Sequence, residues 1–349
     1  MNAEAAALLE AIEARALELN TAGAAPDVLA DGVVSWMIEQ KLFKLFVPKA
    51  LGGLELSLSE AVRIYDALAA IDGSLGWQAQ IGAGGAYFVP DFQPEISRQL
   101  FEPPEAVVAG SGYPGGTARP VSGGYVVSGR WRYASGAQYA TIITANALVE
   151  EGGAQRIQAV AFEPKQVEMI RDWDAFGMQR TSSWSFLADE VFVPAERAFI
   201  VGQRVWDPGY SVYYLPFDLF AVASIAPVAI GVARSFFPAA LQPDPVTGSS
   251  VSGRGAEVLR SAQAEVERFR HLVFTTVARL EAAQAEGSLD EAQCSHFTWM
   301  LQHAVHSVRD LVLKAMPYLG IRATRPSDPT NQIIRDLLTA CQHVVMRTA

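Results

Sequence analysis

Apolar residues recur every three or four positions through Leu8, Leu9, Ile12, Ala16 and Leu17, and again through Val33, Val34, Met37, Leu42 and Phe43. That is the period of helices that bury one face. After a turn at VPKALGG, Ser59 opens a further helix through Val62, Ile64, Tyr65 and Leu68. The segment GWQAQIGAGGAYFV keeps apolar character but carries Gly82, Gly84 and Gly85. Each glycine weakens a helix by up to about 1 kcal/mol relative to alanine, so these three point to the close approach of another backbone or of something flat. Residues 1–105 are thus predicted to form a helical domain.

From about 106 the period changes to two. GGYVVSGRWRYASG, ATIITANALVE, RIQAVAFEP and WSFLADEVFVP alternate between turns, which predicts antiparallel strands and a barrel-like β-domain over 106–214. No G-x-G-x-x-G stands between a strand and a helix, which excludes the doubly wound dinucleotide fold. Beyond 215 long helical stripes return. One runs through Val258, Ala262, Val266, Phe269, Val273 and Leu280, and another from Phe297 through Leu301, Val305, Val308 and Val312. Ser288-Leu-Asp-Glu291 has a capping-box pattern, and Asp328-Pro329 supplies an N-cap and first helical residue for a last helix through Ile334, Leu337, Leu338, Cys341 and Val345. Residues 215–349 are therefore predicted to be a four-helix bundle. The fold class expected is α+β, mostly α.

Composition narrows this further. Half of the 349 residues are hydrophobic and 18% are charged, so large cores or buried subunit interfaces are expected, hence a homo-oligomer. The net charge of −10 is scattered and leaves no basic patch for nucleic acid. LFAVASIAPVAIGVA is short for a membrane span and reads as a core helix, and the acidic N-terminus does not resemble a signal peptide. The expectation is a cytoplasmic protein without a membrane partner. Cys294, His296, His303 and His306 cluster on one helix, but no carboxylate or cysteine pattern completes a metal site.

In GRWRYASG, Trp131, Tyr133 and Ser135 occupy alternate positions, so a regular strand would place two rings and a hydroxyl on one face. Aromatic strand residues more often face a core; a flat heterocycle would give them another use. Four segments bear on that choice: KLFKLFVPKALGGLELSLSEAVRIYDALAAIDGSLGW, GGYVVSGRWRYASGAQYA, FGMQRTSSWSFLADEVFVP and QIIRDLLTACQH. In this order and spacing they resemble the acyl-CoA dehydrogenase superfamily. The resemblance implies a flavin, FAD or FMN, with its ring against the strand at Trp131 and Tyr133. It places Ser135 where the family has a threonine bonding flavin N5, and Ser111 of VVAGSGYPGGTARP in a loop near the pyrimidine edge. Thr181 falls in the same flavin site. For Arg335 two uses stay open, contact with a phosphate or pairing with the neighbours of Asp336; in the family's tetramers the bundle contributes to a flavin site shared between subunits.

The reaction turns on the residues after Arg335-Asp336. An acyl-CoA dehydrogenase needs a carboxylate base at hydrogen-bond reach of the substrate carbon, and no carboxylate comes after Asp336; Glu257, Glu265 and Glu267 have no distinguishing context. His343 stands there instead. An R-D-L-x-T-A-x-x-H ending is similar to the flavin-dependent monooxygenases that share this fold, in which reduced flavin arrives from a separate reductase and reacts with oxygen. There a histidine moves a proton near neutral pH, and a serine of a T-x-S pattern, here Ser183, helps hold the flavin adduct. On one continuous helix Asp336 and His343 would share a face, so Asp336 would orient the imidazole. The branch usually carries a second histidine near Gly84 or Gly85, and this chain has GAGGAYF, which is expected to leave room for the substrate. Three readings stand: a monooxygenase-like flavoenzyme acting on a small organic substrate, an acyl-CoA dehydrogenase, and a flavin-binding homologue impaired in catalysis.

Overall fold

The computed structural model of the chain describes residues 1–20, 27–151 and 153–347. Six helices come first: α1 (Ala3–Ala14), α2 (Ala16–Leu19), α3 (Asp31–Glu39), α4 (Leu58–Ile71), α5 (Gly73–Gly84) and α6 (Pro94–Phe101). A capping box between Ser57 and Glu60 starts α4, and the Asp72 carboxylate caps α5 by accepting the Leu75 N–H at 3.0 Å. The glycines of α5 admit neighbouring protein. A Cβ at Gly76 would lie 2.5 Å from that of Ala69 on α4, one at Gly82 would strike the Phe43 ring, and one at Gly85 would strike Val108. The room expected for substrate at Gly85 is therefore filled by Val108. Only Gly84 faces ordinary spacing, with Gln80 at 3.6 Å and Phe220 at 4.0 Å.

The strands are β1 (Val108–Val121), β2 (Gly124–Ala134), β3 (Ile142–Glu151), β4 (Ala154–Phe162), β5 (Glu168–Ile170), β6 (Trp184–Pro194) and β7 (Ala198–Phe199). They form one sheet in the order β5-β6-β2-β1-β3-β4-β7. It is not wholly antiparallel as expected, because β3 returns on the far side of β1 and pairs with it in parallel. The reason is β1 itself. The sequence VVAGSGYPGGTARP reads as a loop, yet it is a strand whose irregular register at Ser111/Pro114 and Pro114/Gly116 accommodates the proline.

The last helices are α7 (Phe217–Leu241), α8 (Gly253–Ala285), α9 (Glu291–Ala315) and α10 (Pro329–Ala340). Asp328 and Pro329 start α10 as their types predict, whereas the capping box of α9 is made by Asp290 and Gln293 rather than Ser288 and Glu291. The Ser288 hydroxyl is taken by the Ala283 carbonyl instead. Helix α7 is long and apolar enough to cross a membrane, but 83% of its most apolar window is buried inside the protein. One hydrophobic core joins α7 to the N-terminal helices and the rest of the bundle, and a second fills the sheet.

Candidate active site

Strand β2 ends in a distortion that decides what faces what. Trp131 pairs with Phe186 and Ala134 with Trp184, so three steps on β2 match two on β6, and Tyr133 takes a left-handed φ of 68°. This breaks the alternation expected of Trp131, Tyr133 and Ser135. Trp131 is 1% exposed, stacks on Phe186 inside the β core and donates its indole N–H to the Asn146 carbonyl. It has no face left for a ligand. Tyr133 turns outward, 66% exposed, with its ring edge-on to Trp173. Ser111 lies half-buried on β1 opposite Ala145.

Ser135 turns inward and joins a buried row of hydroxyls. The Trp77 indole N–H donates to Ser135 Oγ at 3.0 Å. Ser135 and Ser183 hydroxyls are 2.7 Å apart, Ser183 and Thr181 2.6 Å, and Thr181 Oγ1 donates to the Met178 carbonyl at 2.8 Å. Residues 181–183 reach this place because the preceding loop is held on three sides. Gly177 lies so close to α10 that a Cβ would sit 2.1 Å from the Arg335 carbonyl oxygen. The Met178 N–H donates to Asp336 Oδ1 at 2.6 Å, and the Gly136 N–H to the Thr181 carbonyl at 2.8 Å. Arg180 is buried in an ion pair with Asp72, and Gln78 donates to the Arg180 carbonyl. Met178 and Ser182 both adopt left-handed backbone, at φ 54° and 46°; non-glycine residues held so are strained and occur where surroundings over-determine them. Arg335 serves the same loop, its guanidinium donating to the Phe176 carbonyl and to Gln179.

His343 does not share a helix face with Asp336. Helix α10 ends at Ala340, and His343 caps the short turn beyond it, with its ring edge-on to Trp77 at 5.6 Å. Burial, and then Arg347, push its pKa down to about 4, so the imidazole is neutral at physiological pH. The Val345 N–H points at Nδ1 at 3.4 Å, which assigns the proton to Nε2. Asp336 is instead buried beside Asp72 and Arg180. Desolvation first, and then the charge of Asp72, raise its pKa to about 7. Among the histidines set aside as metal ligands, His303 stacks on Trp299 and His306 bonds the Met346 carbonyl.

Ser135, Ser183, Thr181 and His343 thus come together around Trp77, with Arg335 one layer behind. Sequence reasoning missed Trp77, Asp72, Arg180 and Gln78. The D-G-S-x-G-W stretch containing Asp72 and Trp77 was visible, but nothing local shows that Arg180 closes on it from 108 residues away.

Helices, sheet and bundle in this arrangement form the acyl-CoA dehydrogenase fold, with the hydroxyl row and the neutral imidazole where they meet. XiaF of a Streptomyces species, solved with FADH2 and glycerol, superposes with a TM-score of 0.88 at 18% identity, over 98% of this chain and 92% of that one. No protein-family model matches the chain. It is 27% identical over 332 residues to a pigment production hydroxylase of a Rhodococcus species, covering 90% of this chain and 86% of that protein. It is 30% identical over 244 residues to indole-3-acetate monooxygenase of Pseudomonas putida, 69% of this chain and 59% of that one. To the oxygenase component of an FADH2-dependent resorcinol hydroxylase of a Rhizobium species it is 28% identical over 261 residues, 72% and 61% of the two chains. The chain is thus similar in sequence to flavin-dependent monooxygenases and in fold to the acyl-CoA dehydrogenase superfamily.

Proposed function

We propose that this chain is the oxygenase component of a two-component system. It takes reduced FAD or FMN from a separate flavin reductase and places one atom of dioxygen on a small aromatic substrate bearing a hydroxyl or an indole nitrogen. The substrate class is that of the relatives named for indole-3-acetate and resorcinol. When bound, the reduced flavin supplies the two electrons that let one oxygen atom enter the substrate while the other leaves as water. The residues fit such a group: Ser135 keeps one lone pair at the end of a buried hydroxyl row, and the ring of Tyr133, two residues before it, is exposed. In this reading Ser135, Tyr133 and Ser111 hold the flavin, Thr181 acts behind them by fixing the hydroxyl row, and Arg335 acts by fixing the 176–179 loop. Ser183 and His343 serve the chemistry, the neutral His343 offering its Nε2–H as a hydrogen-bond donor beside Trp77.

The observation that carries this reading is the placement of acids and bases. A neutral imidazole and the hydroxyl row flank one indole ring, while the carboxylates that a dehydrogenase needs are engaged elsewhere. Glu265 and Glu267 pair with Arg268 and Arg270 on the outer side of α8, Glu257 is exposed, and Asp336 accepts the Met178 N–H. The test supplies chemically reduced FAD or FMN, labelled dioxygen and a panel of phenols and indoles. One labelled oxygen per product supports the proposal. Anaerobic bleaching of bound oxidised flavin by an acyl-CoA, with no labelled product, overturns it.

We also read the chain as a cytoplasmic homodimer or homotetramer. Trp299 and Leu313 lie on one face of α9, and Tyr318 and Ile321 follow that helix in the chain, all four large apolar side chains exposed to solvent.

A further inference from the structure

We infer that Thr181, anchored on the Met178 carbonyl, polarises the buried hydroxyl row and so makes the site select reduced over oxidised flavin. The inference rests on the reading above that Ser135 faces the flavin's central ring. The direction of the row is set by its two ends. An indole N–H only donates, so Ser135 Oγ accepts from Trp77 at 3.0 Å. A carbonyl only accepts, so the Thr181 proton is committed to Met178 at 2.8 Å. At 2.6 Å from Ser183, Thr181 Oγ1 then has only a lone pair to offer, and Ser183 must donate to it. Ser183 in turn accepts from Ser135 at 2.7 Å. The row therefore runs Trp77, Ser135, Ser183, Thr181, Met178, each member donating to the next. Ser135 is left with its proton spent, one lone pair spent on Trp77, and one lone pair free.

Whatever faces Ser135 must therefore be a donor. The central ring nitrogen of a reduced flavin carries a hydrogen; in the oxidised flavin the same atom offers a lone pair. Against the oxidised form the row must reverse, with Ser135 donating outward and accepting from Ser183. The Thr181–Ser183 contact then holds two lone pairs, unless Thr181 turns its proton to Ser183 and leaves Met178 to the Trp173 N–H, which reaches it at 2.9 Å. Either way one buried hydrogen bond is lost. The expected preference from this source is about tenfold, equivalent to about 1.4 kcal/mol, the size of one such bond. Tighter binding of the reduced form raises the midpoint potential of the bound flavin, by about 30 mV per tenfold for a two-electron couple.

The experiment measures dissociation constants of oxidised and anaerobically reduced FAD and FMN, together with the bound midpoint potential, for the wild type, Thr181→Val and Thr181→Ser. In Thr181→Val the row loses its fixed end, so Ser183 is free to donate to Ser135. Oxidised flavin is expected to bind about tenfold more tightly, reduced flavin to keep its affinity, and the potential to fall by about 30 mV. Thr181→Ser keeps the hydroxyl and is expected to restore the wild-type ratio. An unchanged ratio in Thr181→Val, or equal loss of both forms, overturns the inference while leaving the flavin site standing. If the wild type binds neither form, the reading of the site falls and the inference with it.

Discussion

Two titratable side chains at this site have been moved in ways that set what each can do. Burial holds His343 near a pKa of 4, so it works as a neutral group from about pH 5 upward. His343→Ala is expected to lower turnover about 100-fold or more, the usual scale of a lost hydrogen-bond donor at a reacting centre, with reduced-flavin affinity little changed. The pH–rate profile of the wild type should show no limb near 6.5; a limb there would contradict the shift. Asp336 is moved the other way, to about 7. Its folded form keeps a proton that the unfolded chain releases near pH 4, so stability falls as pH rises from about 4 to about 7 and is level above. Asp336→Asn retains an acceptor for the Met178 N–H and removes the ionisation. Unfolding measured at pH 5 and pH 8 should differ less in the variant, which gains stability at pH 8 by an amount on the order of a few kcal/mol; parallel profiles would refute this. In the sequence His343 was identifiable and its relation to Asp336 was not. Six residues of helical pattern lie between them, but the helix stops at Ala340.

Among the elements, the 176–182 segment matters most to the site, and it has no regular structure. It is fixed by α10 through Gly177, Met178 and Arg335, by α5 through Gln78, and by the end of β2 through Gly136. Gly177→Ala would drive a Cβ to 2.1 Å from the Arg335 carbonyl oxygen, and neither partner is the end of a flexible side chain. A loss of about 1–3 kcal/mol in stability is expected, with weakened flavin binding because Thr181 and Ser183 move with the loop. Wild-type melting and flavin affinity in this variant would show that the loop is not clamped there. The same scale explains what periodicity found and missed. Strands β2, β3, β4 and β6 run nine residues or more and were legible. Strand β1 was hidden by its glycines and proline, and with it the parallel pairing to β3. Of the three glycines marked as points of close approach, Gly82 meets Phe43 and Gly85 meets Val108, whereas Gly84 has ordinary spacing and Gly76, which meets Ala69, was not marked.

For the whole molecule, the order of helices, sheet and bundle could be read from the change of period at about 106 and about 215. The way they meet could not. Asp72 and Gln78 come from the first helical set, Ser135 and Arg180 from the sheet region, and Asp336 and His343 from the end of the chain. Such contacts join residues far apart in sequence and leave no local trace. The exposed apolar side chains of Trp299, Leu313, Tyr318 and Ile321 are the matching question outside the fold. Light scattering at micromolar concentration is expected to give a dimer or tetramer, and Trp299→Glu with Ile321→Glu to shift it toward smaller species; a monomeric wild type would contradict the assembly.

The central claim is that reduced flavin lies against Ser135 at the end of the hydroxyl row. A crystal structure of the protein grown anaerobically with reduced FAD or FMN tests it most directly. The account predicts the central ring nitrogen at hydrogen-bond distance from Ser135 Oγ, with Tyr133 beside the ring and Trp131 still inside the sheet core. A flavin bound elsewhere, with no part of its ring system near Ser135, would contradict it.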